Sequence, residues 1–367
     1  MTPHLPTFDR VEAYRVRIPF TRPFETARGL IATRKSWILR LRDVDGSEGF
    51  GEVALDPAAS PTDEDRLGAA VTALVAALAA GRTANFEIVQ AGCPAGRALQ
   101  AGLDGAVDAL RRAAFDCEAG PGGRPSTLVN ATLGIGGADQ TAAAAIRAVG
   151  EGFRCVKLKA GDEAPAVIVD RVRAVRRAIG PSISLRLDAN CSWSQSAGIE
   201  TLDALAGFDL EYVEQPLAAG DIEGHASLRR IGAVPIALDE SVDSETAAAA
   251  ILAARAADVL VVKPARVGGP RAVRAIAALA ALDGVPVVLS TFFETGVGTD
   301  AAVRAAAGLP VVGPERAHGL ATAAMLEHDL LRSPAAIIGG RITVPGRLAV
   351  DEEALRRYTV QIVAADL

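Results

Sequence analysis

The sequence predicts an α/β protein, a (β/α)8-type (modified TIM) barrel with an α+β capping domain. Short apolar runs ending at residues 159, 188, 214, 239, 263 and 290 recur every 24 to 29 residues, the length of one βα unit. Each run is followed by a helical stretch rich in Ala, Leu and Arg, as parallel strands covered by helices require. Seven such units, with a weaker eighth at residues 318–322, count out a closed barrel rather than an open doubly wound sheet of about five or six strands.

The elements follow in order. Residues 11–18, 36–41 and 49–53 alternate like a small antiparallel sheet, broken by a Pro/Gly loop over 19–29 and a turn at Asp45-Gly46. Residues 71–80 and 101–118 carry apolar side chains at helical spacing, and the second stretch stops at the Gly/Pro cluster 120–123. The barrel strands are expected at 128–132, 155–159, 183–188, 211–214, 234–239, 258–263 and 285–290. After Pro334 the β-like runs 337–344 and 348–350 lack a further βα unit and are expected to pack back on the N-terminal region. The expected division is a capping domain over 1–125, the barrel over 126–330 and a tail over 331–367 that returns to the cap.

Composition excludes several classes. The 367 residues hold 38 Lys+Arg against 44 Asp+Glu, a formal charge of −6, with the basic residues scattered among acids. That argues against nucleic acid or an anionic membrane surface as partner. The longest apolar stretch, 67–80, is shorter than the roughly 18 residues a span needs, and the charged N-terminal segment (Asp9, Arg10, Glu12, Arg15, Arg17) is unlike a secretory leader. Cys93, Cys117, Cys155 and Cys191 are widely spaced and His4, His225, His318 and His328 are isolated, so neither a zinc set nor a Ser-His-Asp arrangement is indicated. Reduced thiols and a cytoplasmic location are expected. Gly134-Ile135-Gly136-Gly137 fails as a dinucleotide fingerprint because Asp139 replaces the third glycine.

The chemistry sits at the C-terminal ends of the strands, where barrels build their sites. These ends read Lys157-Leu158-Lys159, Asp188-Ala189-Asn190, Glu214-Gln215-Pro216, Asp239-Glu240-Ser241 and Lys263. Asp188, Glu214 and Asp239 on successive strands are hard oxygen donors that suit Mg²⁺, with Mn²⁺ as a substitute. Lys159 and Lys263 flank the three carboxylates, a placement for acid/base work, and alternation points Lys157 to the same side as Lys159. Lys157 and the metal would supply the positive charge that lowers the base's pKa. Structural pairing of these lysines with the carboxylates is the alternative. Asn190 and Glu240 would orient the ligands or lysines from behind, or cap loops. The reaction that fits is removal of a proton next to a carboxylate, on a small-molecule carboxylate substrate.

These motifs, together with Lys-Pro-Ala-Arg-Val-Gly-Gly from Lys263, resemble the muconate-lactonizing subgroup of the enolase superfamily over nearly the whole chain. The superfamily combines a Lys or His base with Mg²⁺, so this agreement comes with the resemblance. The resemblance implies that the segments 19–29 and 51–57 close over the substrate. The stretches 22–29, 289–298 and 318–322 are most similar to o-succinylbenzoate synthases of menaquinone biosynthesis. That implies Lys159 as proton acceptor and donor, Lys263 as stabiliser from the other face, and substrate contacts from Arg28, Arg266, Ser290, Thr291 and Glu294. N-succinylamino acid racemases and dipeptide epimerases share the two-lysine site. Arg266 resembles a residue of bifunctional enzymes, whereas 319–325 lacks the Asp-x-Asp usual in the epimerases. Cys191 departs from the family pattern, in which Gly often follows Asp-Ala-Asn. A homo-oligomer is compatible with these features, and so is a silent relative that binds a metabolite without turnover.

Overall fold

The computed structural model describes residues 8–26, 29–80, 94–115, 124–344 and 346–366. The N-terminal region forms β1 (Phe8–Thr26), β2 (Gly29–Asp43), β3 (Glu48–Val53), α1 (Pro61–Ala79) and α2 (Pro94–Phe115). Ser60 starts α1 by accepting from the Asp63 amide, with Pro61 in the first turn where a missing N–H costs nothing. Alternation divides the sheet. Val11, Ala13, Trp37, Leu39 and Leu41 pack against α1 and α2, while Tyr14, Val16, Ile18, Ile38 and Phe50 face the barrel loops and the C-terminal tail.

The expected loop over 19–29 is instead a continuation of the β1–β2 ribbon, whose pairing shifts between Pro19 and Phe24 and then resumes. Pro19 and Pro23 supply no N–H to a ladder, which accounts for a break in register without an end to the strands. Gly49 and Gly51 let β3 lie directly on α2. A Cβ at Gly51 would stand 1.9 Å from the Gly102 carbonyl oxygen, so Gly51→Ala is expected to cost about 3 kcal/mol or more. Urea denaturation of the variant checks this, and an unchanged midpoint would contradict it.

The barrel follows: β4 (Ser126–Leu128), β5 (Ala131–Leu133), α3 (Ala138–Gly150), β6 (Cys155–Lys159), α4 (Pro165–Ile179), β7 (Ser184–Asp188), α5 (Gln195–Leu205), β8 (Leu210–Glu214), α6 (Ile222–Ile231), β9 (Ile236–Leu238), α7 (Glu245–Ala253), β10 (Val259–Val262), α8 (Pro264–Val267), α9 (Pro270–Leu282), β11 (Val287–Leu289) and α10 (Gly296–Ala307). β5 to β11 form one parallel sheet in sequence order. The weak eighth strand closes it through two parallel bridges, Val129 to His318 on one side and Ser290 to Gly319 on the other.

The tail divides. β12 (Ile337–Ile338) and β13 (Arg341–Thr343) form a hairpin on β4 at the start of the first barrel strand, where Gly340 packs on Gly152. α11 (Glu352–Tyr358) and β14 (Thr359–Asp366) return to the N-terminal sheet, with β14 pairing antiparallel to β1, and Leu331 and Val350 pack against the same sheet. Among the described residues no helix is long and apolar enough to cross a membrane.

Candidate active site

Alternation along each barrel strand decides what enters the barrel. Val156 and Leu158, Leu185 and Leu187, Ile236 and Leu238, and Leu260 and Val262 all belong to the core outside the strands, under the helices. The residues between them therefore point inward: Lys157, Lys159, Arg186, Asp188, Tyr212, Glu214, Asp239 and Lys263. Pairing register places Lys159, Asp188 and Glu214 in one row across β6, β7 and β8. Lys159 stands on the second strand of the ring and Lys263 at the end of the sixth. Four strands apart in a ring of eight, they face each other across the barrel mouth.

The three carboxylates are almost fully buried, each 1% exposed. Lys157 Nζ bridges two of them, at 2.9 Å from Asp188 Oδ2 and 3.0 Å from Glu214 Oε1. Lys159 Nζ donates to Asp188 Oδ2 at 2.7 Å and to Asn190 Oδ1 at 2.8 Å. Asp239 takes both Lys263 and Arg266, and the two cations stand over the Phe292 ring at 5.4 and 5.0 Å. Asn190 Nδ2 reaches Glu240 Oε1 at 3.2 Å, which joins the first lysine to the end of β9.

Electrostatics follow from this crowding. Burial opposes ionisation of Asp188, but Lys157 and Lys159 outweigh it and hold the carboxyl well below its usual range. Burial and the neighbouring Asp188 push Glu214 up to about 7. Asp239, despite its burial, is held down at about 2 by Arg266 and Lys263. Burial works against the Lys157 ammonium, yet Asp188 and Glu214 keep its pKa well above the ordinary value. Lys157 thus stays charged beside Lys159, as the expected environment of a lysine base requires.

The expected convergence of Asp188, Glu214 and Asp239 on one point is not what the side chains do. Among the described residues no three His, Cys, Asp or Glu side chains are gathered closely enough to hold a metal, because the carboxylates are drawn to lysines and an arginine, Asp188 and Glu214 to the shared Lys157. The donor set nevertheless fits a divalent ion. It is all oxygen and buried, two of its members already share a single cation, and Glu240 Oε2 is buried with no hydrogen-bond partner beside them.

Lys159, Lys263 and Arg266 line a cleft that opens to solvent. Ser290 and Thr291 line it too, and Asp56, Pro57 and Ala58 from the segment after β3 form its outer wall. Sequence reasoning missed Thr132, Thr322 and the aromatic pair Phe292 and Phe293. The alternation that placed Lys157 inward would also have placed Thr132 there, whereas Thr322 lies beyond any regular strand and left no such signal. Gln215 was missed as well. Its Oε1 accepts from the Asp239 and Ser241 amides at 3.0 and 3.1 Å, fixing the end of β9 from the end of β8. Asn190 and Cys191 both have positive φ, 47° and 65°, which explains why a glycine suits position 191. Arg28 lies outside the described residues.

Glu294 corrects its expected role: it does not line the cleft but is buried, 4% exposed, between barrel and cap. Burial, and Glu52 beside it, push its carboxyl from 4.5 up to about 7 against the pull of Arg34. A carboxyl with a raised folded-state pKa favours the folded protein at low pH. That advantage is complete below pH 4.5 and is lost as pH rises through about 7. Glu294→Gln, which cannot ionise, is therefore expected to gain on the parent by several degrees of melting temperature between pH 5 and pH 8. A gap independent of pH would contradict this.

Comparison with known proteins comes to the same place. Residues 140–350 match the family described as enolase C-terminal domain-like. The chain is 37% identical over 241 residues to an o-succinylbenzoate synthase of Thermobifida fusca (strain YX), covering 66% of this chain and 73% of that one. It is 28% identical over 355 residues to an L-Ala-D/L-Glu epimerase of Bacillus subtilis (strain 168), covering 92% and 94%. The muconate lactonizing enzyme of Pseudomonas fluorescens, solved with muconolactone, superposes with a TM-score of 0.86 at 25% identity over 97% of this chain and 100% of that one.

Proposed function

This chain belongs to the enolase superfamily, enzymes of proton-abstraction chemistry, and from that premise we propose that it is an o-succinylbenzoate synthase. The reaction is the syn-dehydration of 2-succinyl-6-hydroxy-2,4-cyclohexadiene-1-carboxylate. The observation that carries the reading is the pair of lysines facing each other across a cleft floored by buried carboxylates.

Lys159, in its neutral form, would take the proton from the carbon bearing the carboxylate, and the C–H electron pair would move into that carboxylate. Asp188, Glu214 and Asp239 would hold Mg²⁺, which supplies Lewis-acid stabilisation of the negative charge that develops there. Lys263 and Arg266 face the same charge from the opposite side, held over Phe292 and against Asp239. As the electron pair returns, the ring C–O bond breaks, and the proton on Lys159 leaves with the hydroxyl as water. One lysine serving both steps makes the elimination syn. Five carboxylates (Asp56, Asp188, Glu214, Asp239, Glu240) stand around the cleft with Lys157, Lys159, Lys263 and Arg266, and a divalent ion would add two positive charges there, which suits an anionic substrate.

The facing lysines also suit a second reading, racemization or epimerization of an acylamino acid or dipeptide, in which one lysine removes the α-proton and the other returns it. Incubation with Mg²⁺ separates the two. The synthase reading predicts rapid loss of diene absorbance from the cyclohexadiene carboxylate, and N-succinylamino acids and dipeptides are assayed by polarimetry in parallel. An untouched diene beside a racemizing acylamino acid or dipeptide would overturn the synthase and keep the lysine assignment.

A further inference from the structure

The outer wall of the cleft is built by the segment leaving β3, and its anchors can be followed residue by residue. Glu52 is pinned to the barrel: its Oε2 accepts from the Thr295 amide at 2.9 Å, the Thr295 hydroxyl at 2.7 Å and the Gly298 amide at 3.1 Å, while Oε1 accepts from Ser36 Oγ at 2.8 Å. Two residues on, Ala54 packs with Ala265 and Phe292, next to Lys263. The next carbonyl, Leu55 O, accepts from Arg34 Nη1 at 2.9 Å. Asp56, Pro57 and Ala58 then reach the cleft.

Arg34 is 1% exposed. With one nitrogen on Leu55, its Nε and Nη2 have no hydrogen-bond partner among the described residues, and neither has Glu294 Oε2. Arg34 attracts both Glu52 and Glu294. A buried guanidinium on β2 that donates to the carbonyl just ahead of the wall is a clamp on that segment.

We propose that Arg34 is a positioning residue for the cleft, holding the wall Asp56–Pro57–Ala58 in place through its hydrogen bond to the Leu55 carbonyl. The proposal rests on the cleft of the proposed function as the substrate site and adds a determinant remote from its chemistry. Arg34 touches no reacting atom, and its effect falls on how tightly substrate is enclosed.

The test is hydrogen–deuterium exchange of the full-length protein, followed in peptides covering 54–59 and, as a control, 155–159 and 184–188. Arg34→Lys keeps the charge but is too short to place a donor where Nη1 stands, and is expected to speed exchange at 54–59 by about tenfold, the scale of one charge-assisted hydrogen bond, with the control strands unchanged. Glu294→Gln leaves the Arg34–Leu55 hydrogen bond in place and is expected to retain parental exchange there. Unchanged exchange at 54–59 in Arg34→Lys overturns the proposal. Should that variant lose protection throughout, Arg34→Gln, which removes the donor without leaving a charge, takes its place, with local loosening expected and its absence equally fatal. On whichever substrate the parent turns over, Arg34→Lys is expected to raise KM more than it lowers kcat, and the reverse would place Arg34 in the chemistry instead. Exchange is read without substrate, so a protein inactive on every substrate tried would overturn the proposed function and leave the clamp standing.

Discussion

Lys159→Ala is expected to lower turnover by about 10³-fold or more while leaving fold and metal response intact. The lysine stands at the mouth of the barrel, its side chain 15% exposed, with Nζ on Asp188 and Asn190 and the cleft in front of it. Its removal takes away one of two cations on Asp188, and Lys157 remains at 2.9 Å to balance that carboxylate. Stability should therefore fall little, since the buried charge keeps a partner. The comparison with Lys157→Ala is informative. Lys157 is the shared counterion of Asp188 and Glu214, so its loss leaves Asp188 with Lys159 alone and takes from Glu214 its ion-pair partner among the described residues, and should show first as lost stability. Turnover retained by Lys159→Ala would mean that another group removes the proton.

The second large effect is expected from Asp239→Asn. In the parent, saturating Mg²⁺ should raise the melting temperature, on the scale of about 3 kcal/mol at a hundredfold excess over Kd. In the variant that response should vanish. Two effects of the substitution separate in the measurement. Without added metal, Asp239→Asn leaves Lys263 and Arg266 buried with one counterion fewer, an expected loss of roughly 3 kcal/mol. The metal response is the additional shift on titrating Mg²⁺, and its survival in the variant would remove Asp239 from the ligand set. The absence of any response in the parent would favour a silent relative.

Much of this was legible in the sequence because a barrel writes its site at a regular period. Alternation around Val156 and Leu158 sent both lysines of β6 inward, and the same parity sent in Asp188, Glu214 and Asp239. What the period could not convey was where the side-chain heads go. Charge balance in a buried space draws each carboxylate to a lysine or arginine, and that depends on distances between strands rather than on spacing along one. Glu294 illustrates the second limit. It lies past the end of β11 where the strand parity no longer holds, Phe293 next to it has a positive φ of 60°, and the chain turns its carboxyl away from the cleft toward Glu52 and Arg34. The ribbon through Pro19 and Pro23 shows the third: prolines mark a lost ladder bond, and a two-stranded ribbon can absorb that as a register shift.

The proposed chemistry of this cleft is removal of a proton from the carbon next to a carboxylate. Proton NMR in deuterated buffer tests it directly, by following the α-hydrogen of the cyclohexadiene carboxylate and of N-succinylamino acids with the parent protein and Mg²⁺. The account predicts Mg²⁺-dependent loss of the α-hydrogen from at least one of these substrates, abolished in Lys159→Ala. Conversion of a substrate with its α-hydrogen fully retained would contradict it.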